Sequence, residues 1–208
     1  MPCVFPDSVL LIFCKAPILG QVKTRLQPTL SAEQAAQAHR QLTYMTLARA
    51  FQQPLCPVEL HCAPDTRHDF FQDCARRYPL TLKAQRGADL GERMLRAFDE
   101  ALGRYRQVLL MGCDCPSLSY GDLRQALTVL HESHDTVIAP ASDGGYVMIG
   151  LKQAQPELFS DMTWGHDQVM STTRHRAETI GLSVYELDKQ WDVDTYPDWQ
   201  RYLELANG

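Results

Sequence analysis

The stretch QVLLMGCDCPSLSYGDLRQALTVLH, residues 107–131, decides the fold. Gln107 to Gly112 carries an unbroken apolar core, Val108 to Met111, that is too short for an ordinary helix. Apolar residues without alternation are what a strand buried on both faces requires. A loop follows, Cys113-Asp114-Cys115-Pro116, and the proline ends any ladder. Ser119, with Asp122 three residues on, then caps a helix that runs to about His131. Strand, loop and capped helix in one short span make the repeating unit of a parallel α/β sheet.

The same pattern repeats in both directions. Ser8–Cys14 reads as a doubly buried strand, and Ser31, with Gln34 at the capping-box position, opens a helix to about Phe51. Val58–Ala63 predicts a strand, Thr66–Arg77 a helix and Leu80–Ala84 a short strand. Leu90, Met94, Ala97, Phe98 and Ala101 give helical spacing across Asp89–Tyr105. Asp135–Pro140 and Tyr146–Leu151 read as strands around the Gly144-Gly145 turn. A helix near Asp167–Ile180, a strand at Leu182–Leu187 and a helix at Pro197–Ala206 complete the chain. The alternation predicts a three-layer α/β/α sandwich with a mostly parallel, mixed sheet, one domain over residues 1–208. Ligands of such sheets bind beyond the carboxyl ends of the strands, so the chemistry is sought in the loops after them.

Composition narrows the function classes. A formal charge of −5 and a pI near 5.8 argue against a nucleic-acid face. The run Val9–Cys14 is too short to span a membrane and lacks the flanks of a signal peptide. The seven cysteines are odd in number, form no CxxC pair and mostly lie in or beside apolar runs, which suggests free thiols in a reducing cytoplasm.

Four loops carry candidate chemistry. KAPILGQVKTRL, directly after the first strand, holds Lys15, Lys23 and Arg25 around Pro17 and Gly20. Three cations there form a plausible phosphate cradle, or a merely solvated basic loop; neither GxxxxGK[ST] nor GxGxxG is present. Asp114 is placed to hold Mg²⁺ or Mn²⁺, although an aspartate before Pro116 also suits a simple turn. Cys113 and Cys115 would need further Cys or His ligands for a zinc site, and no pair of suitable spacing lies near them in sequence. A bond between them would be strained. Asp192 and Asp194 alternate along WDVDTYPDW, so an extended segment would project both to one side, toward a shared cation. Asp194 or Thr195 could instead cap the last helix, with Pro197 in its first turn. Asp143 precedes Gly144 and Gly145, a tight turn that could also offer a carboxylate to sugar hydroxyls.

Taken together, FCKAPILGQVKTRL, QRGADLGERM, GCDCPSL, APASDGGYVMIGL, MTWGHDQV and DVDTYPDW, in that order, resemble a family of bacterial glycosyltransferases with the GT-A, nucleotide-diphospho-sugar transferase fold. Some members are assigned to arsenosugar biosynthesis, and molybdopterin and phospholactate guanylyltransferases are more distant relatives. The resemblance runs from about Val9 to Leu205. It implies that Lys15, Lys23 and Arg25 line the nucleotide and its phosphates. Gln85, Gly87, Asp89 and Gly91 would lie near base and ribose. Asp114 and Asp194, with Asp192 as a weaker candidate, would hold Mg²⁺ or Mn²⁺, and Asp143, Gly144 and Gly145 would face the sugar or acceptor. The partners implied are a nucleotide sugar, or an NTP, and a small acceptor. This chain departs from the family pattern at Trp164-Gly165-His166, where Trp-Ser-Thr is expected. The mechanism so implied is metal-dependent glycosyl transfer, with Lys23 and Arg25 stabilising the leaving diphosphate and Asp167, or Asp143, as base. Nucleotidyl transfer with pyrophosphate release, and nucleotide binding without turnover, are the competing readings.

Overall fold

The computed structural model describes residues 3–207. Seven strands, β1 (Ser8–Lys15), β2 (Val58–Ala63), β3 (Thr81–Ala84), β4 (Gln107–Gly112), β5 (Thr136–Pro140), β6 (Tyr146–Leu151) and β7 (Val184–Glu186), form one sheet. The strand order is β3-β2-β1-β4-β6-β5-β7. Only β6 runs against its neighbours β4 and β5; the remaining pairs are parallel. The helices are α1 (Ala32–Ala50), α2 (Asp69–Arg77), α3 (Leu90–Leu102), α4 (Tyr120–Glu132), α5 (Pro156–Phe159), α6 (Val169–Thr179) and α7 (Tyr196–Asn207). The mostly parallel, mixed α/β/α sandwich expected from the sequence is the architecture observed.

Side-chain alternation in the central strands builds both faces. Leu10, Ile12 and Cys14 of β1 point with Leu109 and Met111 of β4 into a core closed by α1, α2 and α4. Val9, Leu11, Val108 and Leu110 point the other way, against α3, α5 and α6. Because both sets are buried, neither strand needs polar alternation, which is why the apolar runs are continuous. A third cluster packs α7, through Trp199 and Tyr202, on Leu42 of α1 and on Trp191 and Val193. That contact brings the segment before α7 back to the carboxyl end of β4.

Local signals set the ends of elements. Ser31 and Ser119 form complete capping boxes with Gln34 and Asp122. Two expectations need correction. Residues 66–68 are not helical: Asp65 accepts from the Arg67 backbone and guanidinium, and α2 starts only after His68. At α7, capping is done by Asp198, whose carboxylate accepts from the Thr195 backbone at 2.8 Å and its hydroxyl at 2.6 Å. Asp194 is therefore free of a capping role. The single turns Thr24–Leu26 and Pro156–Phe159 are additions the sequence pattern did not foresee.

Candidate active site

Three loops converge at the carboxyl ends of β1 and β4. After β1, the chain reaches Lys23 with φ 49°, a left-handed conformation uncommon outside glycine. That turn delivers the Lys23 ammonium, whose side chain is only 6% exposed, to Asp114 Oδ2 at 2.6 Å and within 3.7 Å of Asp194 Oδ1. Asp114 has room because Gly112 lacks a Cβ, which would lie 2.9 Å from Asp114 Oδ1. The segment before α7 is stitched to the same place: the Val193 amide donates to the Asp114 carbonyl at 3.0 Å. Arg25, more exposed, donates to Asp194 Oδ2 at 2.7 Å.

The result is a carboxylate triad. Asp114, Asp192 and Asp194 offer oxygen atoms within 4.8 Å of one another. Burial works against the charged form of Asp114, but Lys23 outweighs it and holds the carboxyl below its ordinary range. Burial likewise disfavours a charged Lys23, and Asp114 and Asp194 overcome that, leaving its pKa raised. Asp192 has no hydrogen bond or ion pair among the described residues. Burial, then the negative charge of Asp114, Asp194 and Asp143, pushes it up to about 7. A hard divalent cation fits this donor set: all the ligand atoms are oxygens, a cationic ammonium already lies among them, and negative neighbours outweigh Lys23 at the third carboxylate.

Two cavities meet at the triad. The first, about 320 Å³, is bordered by Lys15, Lys23, Arg25, Gln85, Leu90 and Asp194. The second, about 230 Å³, is bordered by Asp143, Gly145, Tyr146, Trp164, His166 and Asp192. Asp114, Gly112, Phe13 and Leu90 border both.

The other expected residues divide clearly. Gln85 stands at the first cavity, but its amide is spent on the His61 carbonyl at 2.8 Å. Asp89 is the N-cap of α3, accepting from the Glu92 amide at 2.8 Å. Gly91 is a packing residue: a Cβ there would lie 2.5 Å from the Phe159 carbonyl. Gly87 has φ 146°, and a Cβ added there would lie 2.7 Å from the Arg93 backbone nitrogen; it borders neither cavity. Gly144 lets the backbone pass Asp167, 2.2 Å from the position of an added Cβ, while Gly145 faces the second cavity. Asp167 lies elsewhere. It is exposed and borders a separate depression with Arg174 and Glu186, away from the triad. Its neighbour His166 borders the second cavity instead.

One cluster escaped the sequence reading. Cys113 and Cys115 do not act together: Cys115 turns to the Trp191 carbonyl, 3.3 Å away, while Cys113 meets Cys14 and His39. The strand register and α1, not sequence spacing, bring those three together, so a search for nearby pairs misses them. All seven cysteines are free.

Comparison with known proteins agrees with this architecture. The fold is that of the nucleotide-diphospho-sugar transferase class. A solved protein of Desulfovibrio desulfuricans G20, provisionally named a nucleotide-diphospho-sugar transferase, is 30% identical; the match covers 92% of this chain and 84% of that one, with a TM-score of 0.83. The chain belongs to the family described as "Uncharacterized protein conserved in bacteria (DUF2064)", whose model matches residues 46–166. Two more distant structures share the fold. A 4-diphosphocytidyl-2C-methyl-D-erythritol synthase of Anaerococcus prevotii is 10% identical, over 98% of this chain and 99% of that one, at a TM-score of 0.67. A Mycobacterium tuberculosis protein solved as a manganese complex is 17% identical, over 95% and 97%, at 0.55. No curated protein gives a significant match to the sequence. None of the described helices is long and apolar enough to cross a membrane.

Proposed function

We propose that this chain, as one domain over residues 1–208, is a Mg²⁺- or Mn²⁺-dependent glycosyltransferase that moves a sugar from a nucleoside-diphosphate donor to a small acceptor. The observation that carries the reading is the carboxylate triad at the junction of two cavities, with Lys23 and Arg25 beside it. A transferase needs two substrates to meet at one charged centre, and this arrangement supplies that. The similarity to the D. desulfuricans protein supports the donor class.

Asp114, Asp194 and Asp192 would hold the cation. When bound, it would offset negative charge on the departing diphosphate. Lys15, Lys23 and Arg25 bind the phosphates in the first cavity, and displacement of the Lys23 ammonium from Asp114 frees it to turn toward them. Asp143, fixed by the Gly145 amide at 3.0 Å on its Oδ1, orients an acceptor hydroxyl with its other oxygen and takes its proton. His166 borders the same cavity, and Asp167 is left out of the reaction.

The test is a thermal-shift panel of nucleotides and nucleotide sugars with and without Mn²⁺, followed by product analysis. Binding to the native state raises the melting temperature. A nucleotide sugar should stabilise the protein only with the cation, and Asp114→Ala should remove that part of the shift. An Asp114→Ala variant that keeps the whole shift overturns the site. Pyrophosphate release from an NTP, with no sugar transfer, overturns the reaction in favour of nucleotidyl transfer.

A further inference from the structure

We propose that Cys14, His39 and Cys113 form a second metal site, for thiophilic cations of the zinc class, back to back with the carboxylate triad. The ladder between β1 and β4 pairs Phe13 with Gly112, so the next residues, Cys14 and Cys113, leave adjacent strands side by side. Both point into the core face covered by α1, which brings His39 down onto them. The two sulfurs and an imidazole nitrogen lie within 4.8 Å of one another, and Cys14 Sγ is 3.6 Å from His39 Nε2. Ligand atoms on a tetrahedral zinc are about 3.4–3.8 Å apart, so closure by about 1 Å at the widest pair completes the set.

Ligand chemistry separates the two sites. Thiolate and imidazole select zinc-class ions, while an all-oxygen triad suits magnesium or manganese. Three protein ligands leave a fourth position. All three residues are buried yet border the first cavity, so that position faces the cleft and not the core. The Thr43 hydroxyl, 3.5 Å from Cys14 Sγ, is fully buried beside the cluster. Cys62 is the in-register neighbour of Cys14 on β2, but it has no imidazole over it and lies outside the cluster. Ligation through His39 Nε2 would release the Lys15 carbonyl it holds at 2.8 Å, where the cationic loop begins, and Cys113 adjoins Asp114. Occupancy of the sulfur site should therefore weaken Mn²⁺-dependent binding in the cleft.

The experiment is a cadmium titration of the reduced full chain in a Cys3→Ser background, read by thiolate-to-metal charge-transfer absorption. Carboxylates give no such band, so the readout is independent of the proposed transferase site. One equivalent of Cd²⁺ should saturate the band, Zn²⁺ should displace it and Mg²⁺ should not. Cys14→Ala and Cys113→Ala should each remove most of it, and His39→Gln, which keeps both thiols and most of the volume, should weaken Cd²⁺ binding. Cys62→Ala and Asp114→Asn should retain it. Absence of a band, its loss in Cys62→Ala, or its persistence in the Cys14→Ala/Cys113→Ala double variant would overturn the proposal. The transferase reading is sunk by different results, so either can fail alone.

Discussion

Lys23 sets the charge balance of the site. Its ammonium is the nearest counter-charge to Asp114 and touches Asp194 as well. Lys23→Met should cost about 1–3 kcal/mol near neutral pH, less than a fully buried pair because Asp114 is 31% exposed. Mn²⁺ should restore more melting temperature in that variant than in the parent, since the cation replaces the lost charge; equal responses would count against the triad as a cation site. Asp192 gives the site a pH dependence of known sign. Its folded pKa of about 7 lies above the ordinary 3.8, so between those values the folded chain holds a proton the unfolded chain has lost. That contribution is fully present below the lower value and disappears as pH rises through about 7. A metal ion must displace the proton, so stabilisation by Mn²⁺ should grow from about pH 5.5 to about pH 8 and flatten in Asp192→Asn. Calorimetry across that range checks it.

At the scale of elements, the sequence was informative wherever the local signal was complete. The bounds of β2, β4 and β6 are those the apolar runs predict. The capping box makes the start of α1 equally legible, and Ser31→Ala should cost about 1 kcal/mol, measured by denaturant unfolding. Legibility failed where a short-range bond competes, as at Asp65-Thr66-Arg67, or where one turn is too brief to show a period, as at Pro156–Phe159. Gly91 shows a different limit. The family resemblance implied a place near base and ribose, yet its packing depends on the Phe159 carbonyl, far away in sequence. Helix propensity alone says Gly91→Ala should stabilise α3. The clash predicts the opposite sign, a loss of about 1–3 kcal/mol with the carbonyl and Trp164 forced aside.

For the whole molecule, Asp114 was readable because strand ends in an α/β sheet mark where ligands bind. Its partnership with Lys23 was not: those residues are 91 apart, and no local pattern encodes a charge meeting across loops. The same holds for Glu59 of β2, buried between His61 at 3.3 Å and Arg104 at 2.7 Å. Burial opposes its charge, but hydrogen bonds from His61 and Arg104 win and hold its pKa at about 2. Glu59 should thus stabilise the fold fully above about pH 4.5 and lose that contribution, about 2 kcal/mol, as pH falls toward 2. Glu59→Gln should be less stable at pH 7 and should lack this limb of the acid-unfolding profile; an unchanged profile would refute the assignment. The bond from the Val193 amide to the Asp114 carbonyl has a consequence for biosynthesis. All seven strands are synthesised before Asp192 and Asp194 are. A nascent chain can therefore hold every strand of its sheet while still lacking two of the three carboxylates, and the proposed cation site is completed only once synthesis has passed them.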